Sequence, residues 1–207
     1  MKARNWAFLF MTTLAVGAVT GLVFGLGTYV LQTGAELTGR ELLFSVIGYV
    51  GAGLMFSLMS QMGLFAYLFF QALMLGILKR NWLWQTFQGV VVGLVLIDLV
   101  WLRAAAGGGH WLQYVPLPLT LLAVGLVIAV IKVRLTDVHA FIPTLFVMIV
   151  LTTLEWLPAL TTGNRLSMWV MIVPLLCCNA WQVLILHRLV DSGKKTPSPR
   201  KKKWATA

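Results

Sequence analysis

Two carboxylates interrupt otherwise apolar stretches of this chain, Asp98 and Glu155, and they are the first candidates for chemistry. An acidic side chain inside a hydrocarbon-length segment is costly and normally faces other helices, a partner charge or water. Arg103 and Arg165 follow them near the ends of the same stretches. The four residues Asp98, Arg103, Glu155 and Arg165 therefore read as one intramembrane polar cluster near a single leaflet, either an interhelical salt-bridge set or an ion, proton or ligand site. Asp98 and Arg103 are five apart, a poor spacing for a pair within one helix, so the spacing favours partners on other helices.

A second group consists of amides and small residues. Asn179 and Gln182 are three apart and share a helical face, and Gln61 and Gly63 sit in the polar tetrapeptide Ser60-Gln61-Met62-Gly63. Amides in lipid-embedded helices hydrogen-bond between helices. Gly17, Gly21 and Gly25 recur every four residues, the small-xxx-small pattern that lets another backbone come close. These seven residues form a candidate helix-packing or partner face. Adjacent Cys177 and Cys178 read as small buried apolar side chains. His110, His139 and His187 are scattered over different segment ends, so no metal cluster is expected. The chain has no HExxH, GxSxG or paired-Asp motif, and Gly107-Gly108-Gly109 lacks the Lys-Ser/Thr of a phosphate loop. No catalytic residue and no cofactor are expected, and the chain reads as a non-enzyme.

The elements that must position these residues are membrane spans. The chain has 207 residues, 59% hydrophobic and only 11% charged, against about 25% charged in soluble domains. Uncharged runs exceed the ~20 residues that cross a bilayer core as a helix. The fold class is therefore all-α, a polytopic integral membrane helical bundle over 1–190 with a basic, disordered tail over 191–207. The net charge of +10 points to lipid headgroups rather than nucleic acid, because the basic residues sit at segment ends and in the tail. Arg200, Lys201, Lys202 and Lys203 are the candidate headgroup contacts.

One run sets the topology. Leu42–Leu78 contains no Asp, Glu, Lys, Arg or His; it is too long for one ordinary crossing and short for two. If it crosses once, the bundle has six spans and every Lys and Arg except Arg40, Arg103 and Arg165 falls on the side of both termini. The positive-inside rule then makes that side cytoplasmic, with the protein in the plasma membrane. Seven spans are the alternative, and they place the basic ends on opposite sides. The six-span reading predicts a long second helix broken at Ser60–Gly63, with Met62–Leu78 as surplus apolar helix buried by its neighbours.

Met1-Lys2-Ala3-Arg4-Asn5-Trp6, Ser60 through Leu68, and Asp98-Leu99-Val100 resemble the KinB-signalling pathway activation (KbaA) family of endospore-forming bacteria. The resemblance implies a multispanning membrane protein that assists a membrane sensor histidine kinase, KinB-like, feeding the sporulation phosphorelay. The family carries no catalytic motif onto these positions. A small transporter or ligand-sensing protein using Asp98 and Glu155 is the alternative.

Overall fold

The structure, a computed structural model, describes residues 3–33, 39–78, 80–107, 110–160 and 165–194. The described residues are helical throughout apart from short connections, with no strand among them. Helix α1 is Ala3–Thr33, α2 is Gly39–Leu78 and α3 is Asn81–Gly107. A 3-10 turn, Trp111–Tyr114, leads into α4, Pro116–Leu135, whose first residues include Pro116 and Pro118. There a missing N–H leaves no intrahelical bond unmade. Helix α5 has three parts: an α-helical turn Phe141–Phe146, a π-helical turn Val147–Leu151 and a further α-helical segment Thr152–Leu160. Helix α6 is Arg165–Lys194, with Pro174 in its interior. Residues 191–194 thus continue the last helix, and residues 195–207 lie outside the described residues.

Six helices among the described residues are long and apolar enough to cross a membrane. Helices are the form such a chain takes in lipid, because all their backbone donors and acceptors are paired within the segment. The same rule applies to hydroxyls. Thr12, Thr13, Thr20, Thr28 and Thr153 each donate to a carbonyl three or four residues back, so none brings a free O–H into the span.

The expected break in the second helix is absent. Helix α2 runs unbroken for 40 residues through Ser60–Gly63, roughly 60 Å at the α-helical rise. Its C-terminal part is also only half covered. Leu64 and Tyr67 are buried against α3 and α5, while Phe69, Leu73 and Ile77 stay exposed on the other side. In a bilayer the exposed face meets lipid as readily as protein, so the surplus apolar helix needs no complete shell of neighbours.

Helices α1 and α2 form the tightest pair. Gly17, Gly21 and Gly25 face Gly53, Ser57 and Tyr49, and a Cβ added at Gly21 would lie 2.7 Å from the Cα of Gly53. The glycine stripe of α1 is therefore closed by α2, with Cys178 of α6 also at Gly17. Two apolar clusters complete the interior. Leu64, Tyr67, Trp84, Val92 and Phe146 join α2, α3 and α5. Leu99, Leu121, Trp156, Ile172 and Leu175 join α3, α4, α5 and α6.

Candidate functional site

The polar tetrapeptide of α2 is the centre of a buried hydrogen-bond network. Along α2, Gly53, Ser57, Ser60, Gln61, Leu64 and Tyr67 are buried, a single stripe at helical spacing. Ser60 Oγ donates to Asn179 Oδ1 at 2.7 Å, and Gln182 Nε2 donates to Ser60 Oγ at 3.1 Å. Asn179 Nδ2 donates to Thr152 Oγ1 at 2.9 Å and to Glu155 Oε2 at 3.1 Å. Three helices, α2, α5 and α6, are thereby tied through one amide. Asn179, Gln182, Ser60 and Thr152 are all at 0% exposure, so water does not compete for these bonds.

The network continues into α1. Gln61 Nε2 donates to the Phe10 carbonyl at 3.3 Å. Ser57 Oγ donates to the carbonyls of Thr13 and Gly53 at 3.1 and 3.0 Å and lies 3.5 Å from Cys178 Sγ. Such backbone contacts from α2 to α1 exist only because Gly17 and Gly53 lack side chains, as a Cβ on Gly17 would overlap the Ser57 hydroxyl.

Glu155 lies over Gly63. A Cβ there would collide with Glu155 Oε1, so glycine at this position makes room for the carboxylate. Glu155 Oε1 itself has no hydrogen-bond partner among the described residues, and neither do Gln61 Oε1 and Gln182 Oε1. The π-helical turn Val147–Leu151 immediately precedes Thr152 and Glu155 and sets their angular position. Inserted π turns of this kind re-aim the residues that follow them.

Of the four charged residues, Glu155 has its carboxylate held by Asn179. Arg103 places its guanidinium over the rings of Tyr114 and Trp156, at 5.9 and 5.8 Å. Asp98 is exposed on α3, in a surface depression with Leu94, Ile97 and Trp101. The side chain of Arg165 and the residues Arg200, Lys201, Lys202 and Lys203 lie outside the described residues. The structure does bring Gly17, Gln61, Gly63, Asn179 and Gln182 into one network with Glu155.

Sequence reasoning missed Ser57, Thr13, Thr152 and Cys178 as members, and read Ser60 as part of a helix break rather than as a hydrogen-bonding group. The readable signal was the stripe Gly53–Ser57–Ser60–Gln61 on α2 together with Thr152 and Glu155 three apart on α5. It also missed Lys132, buried near the end of α4, whose ammonium donates to the Val183 carbonyl at 2.6 Å and lies 3.2 Å from His187 Nδ1. This group lines a cavity of about 120 Å³ with Tyr67, Gln71, Thr144 and Val147. Gln88, a further buried amide, donates to the Tyr67 hydroxyl at 2.9 Å.

No solved structure matches the chain. Among characterised proteins, the KinB-signaling pathway activation protein of Bacillus subtilis (strain 168) is 35% identical over 198 residues, which cover 91% of this chain and 98% of that protein. The family model described as KinB-signalling pathway activation in sporulation matches residues 13–189, a stretch that includes every member of the buried network except Phe10. The chain belongs to the KbaA family.

Proposed function

We propose that this protein is a non-enzymatic, multi-pass plasma-membrane protein that activates or assists a KinB-like membrane sensor histidine kinase feeding the sporulation phosphorelay. Membership of the KbaA family over residues 13–189 carries this reading. The name of the Bacillus subtilis relative, which aligns with nearly its full length, supports it. Both termini are cytoplasmic, as the distribution of Lys and Arg argues. The run Arg200-Lys201-Lys202-Lys203 then lies against the anionic inner leaflet.

The network supports a structural rather than a chemical use of the interior. Its donors are consumed by helix-to-helix bonds from Ser60, Asn179, Gln182 and Gln61. A protein that biases a kinase needs a defined surface that binds one kinase state better than the other. The alternative, a transporter or ligand sensor using Asp98 and Glu155, draws less support. One carboxylate faces outward from α3 and the other is clasped by α6.

The test is genetic. Deleting the gene delays sporulation in cells whose phosphorelay depends on the KinB-type kinase, and leaves timing unchanged where another kinase feeds the relay. An equal delay in both backgrounds would refute the assignment to that kinase.

A further inference from the structure

Both surfaces that the sequence offers as contact faces are used internally: the glycine stripe of α1 is covered by α2, and the amides are buried. The outward face of α3 is not. Leu83, Phe87, Val90, Leu94, Ile97 and Trp101 are exposed, and exposure rises along them from 40% to 74%. They recur at intervals of four, three, four, three and four residues, the heptad spacing of a seam between two helices. Lipid alone can cover such a face, so the apolar residues do not decide what lies there.

Asp98 does. It directly follows Ile97, at the edge of the seam where interhelical charge pairs form in heptad packing. It is exposed, in a depression of about 290 Å³ lined also by Leu94, Val95, Ile97 and Trp101. It has no hydrogen-bond or ion partner among the described residues. Arg103, five residues on, is turned to the rings of Tyr114 and Trp156 on the inner side of α3. Asp98 stands seven residues before Ala105, the last residue of a helix long and apolar enough to cross a membrane, about 10 Å along the helix. A carboxylate held there against hydrocarbon is strongly unfavourable until it is paired.

We infer that this face of α3 docks a transmembrane helix of another protein that carries a Lys or Arg at the level of Asp98. The basic residue on such a helix is as unfavourable alone in lipid as Asp98 is, so pairing relieves both. A second copy of this chain fits less well. Across a two-fold axis normal to the membrane, α3 would meet α3 in parallel, and Asp98 would face its own equivalent at the same depth. The inference rests on the proposed function only for the identity of the natural partner, the membrane kinase; the chemistry of the docking face stands apart from it.

The test uses the full chain reconstituted in phosphatidylcholine vesicles. The probe is a synthetic Leu/Ala transmembrane peptide with one Lys placed at the depth of Asp98, compared with the same peptide carrying Leu instead. Association is read by energy transfer from the protein's tryptophans to a dansyl group on the peptide. The Lys peptide binds about tenfold more tightly. Asp98→Leu, which replaces a lipid-facing group and leaves helicity by circular dichroism unchanged, abolishes the preference; Asp98→Glu retains it. Equal binding of the two peptides, or a Lys preference that survives Asp98→Leu, overturns the inference. So does self-association of the chain that depends on Asp98 while neither peptide binds. A Lys preference lost in Asp98→Leu, in a protein whose deletion phenotype does not depend on the kinase, upholds the docking face and refutes only the partner assignment.

Discussion

Replacing Asn179 by Leu separates a network that holds the bundle together from one that merely fills it. Asn179 makes three interhelical bonds, from Ser60 at 2.7 Å, to Thr152 at 2.9 Å and to Glu155 at 3.1 Å. Side-chain hydrogen bonds in membrane bundles average ~0.6 kcal/mol, so three amount to roughly 2 kcal/mol. The substitution also strands Glu155. Its Oε1 has no partner already, and loss of Asn179 leaves Oε2 without its amide donor. A buried polar group left unpaired adds about 1–3 kcal/mol. Asn179→Leu is therefore expected to destabilise the fold by roughly 3–5 kcal/mol.

The comparison variant is Gln182→Leu. Gln182 is equally buried, but among the described residues it makes one bond, to Ser60, and its Oε1 is unpartnered. Leucine there loses a bond and removes an unsatisfied acceptor, so the net change stays within about 1 kcal/mol. The double variant Asn179→Leu/Glu155→Leu removes the stranded carboxylate and recovers part of the Asn179→Leu loss. Unfolding by SDS titration in mixed micelles, followed by far-UV circular dichroism, measures all three. Equal losses for Asn179→Leu and Gln182→Leu, or a double variant no better than the single, would refute the reasoning.

Three further outcomes follow from the packing. Gly17→Ala puts a Cβ 2.6 Å from the Gly53 carbonyl and into the Ser57 hydroxyl, and is expected to cost about 1–3 kcal/mol in the same titration; Gly27→Ala meets open space and stabilises by up to about 1 kcal/mol. Inserting an alanine between Leu151 and Thr152, just beyond the π turn Val147–Leu151, rotates Glu155 by about 100° relative to the start of α5. The Asn179 contact is then lost, with a destabilisation close to that of Asn179→Leu. In the six-span topology, cysteines at Arg80 and beyond Lys194 react with an impermeant maleimide only from the cytoplasm and one at His110 only from outside; Arg80 and the C-terminal segment reacting from opposite faces would exclude it.

The spans were legible in the sequence because run length and charge are what the bilayer selects. The continuity of α2 was not. Ser60, Gln61 and Gly63 look like a break when read along the chain, since Gly and polar residues end helices in water. In lipid a break leaves backbone N–H and C=O groups unpaired, and here each polar group has a use across the bundle. Ser60 bonds Asn179, Gln61 bonds the Phe10 carbonyl and Gly63 gives way to Glu155. The contact that Glu155 makes with Asn179 was not legible for a related reason. Counting from the end of its own span puts it beside Arg165 and Asp98, yet the π turn and the length of α6 bring it to Asn179, near the middle of that helix. Registers between helices are not written in run lengths.

The two intramembrane carboxylates illustrate how burial and function separate in this protein. Glu155 is surrounded by the groups that make it tolerable, an amide donor from Asn179 and the space above Gly63. Removing it from lipid is the work of the fold itself, so a role in signalling is not required to account for it. Asp98 receives no such accommodation among the described residues, and Arg103 on the same helix lies over the rings of Tyr114 and Trp156. A sequence under no demand beyond stability would gain from an apolar residue at position 98, because the neighbouring exposed residues Leu94, Ile97 and Trp101 are already apolar. A protein that acts by shifting a kinase between states needs unequal affinity for the two. On the proposed reading, an unpaired charge in hydrocarbon would supply that inequality, since it would distinguish a partner helix whose basic residue is at its own level from one in which that residue has moved away.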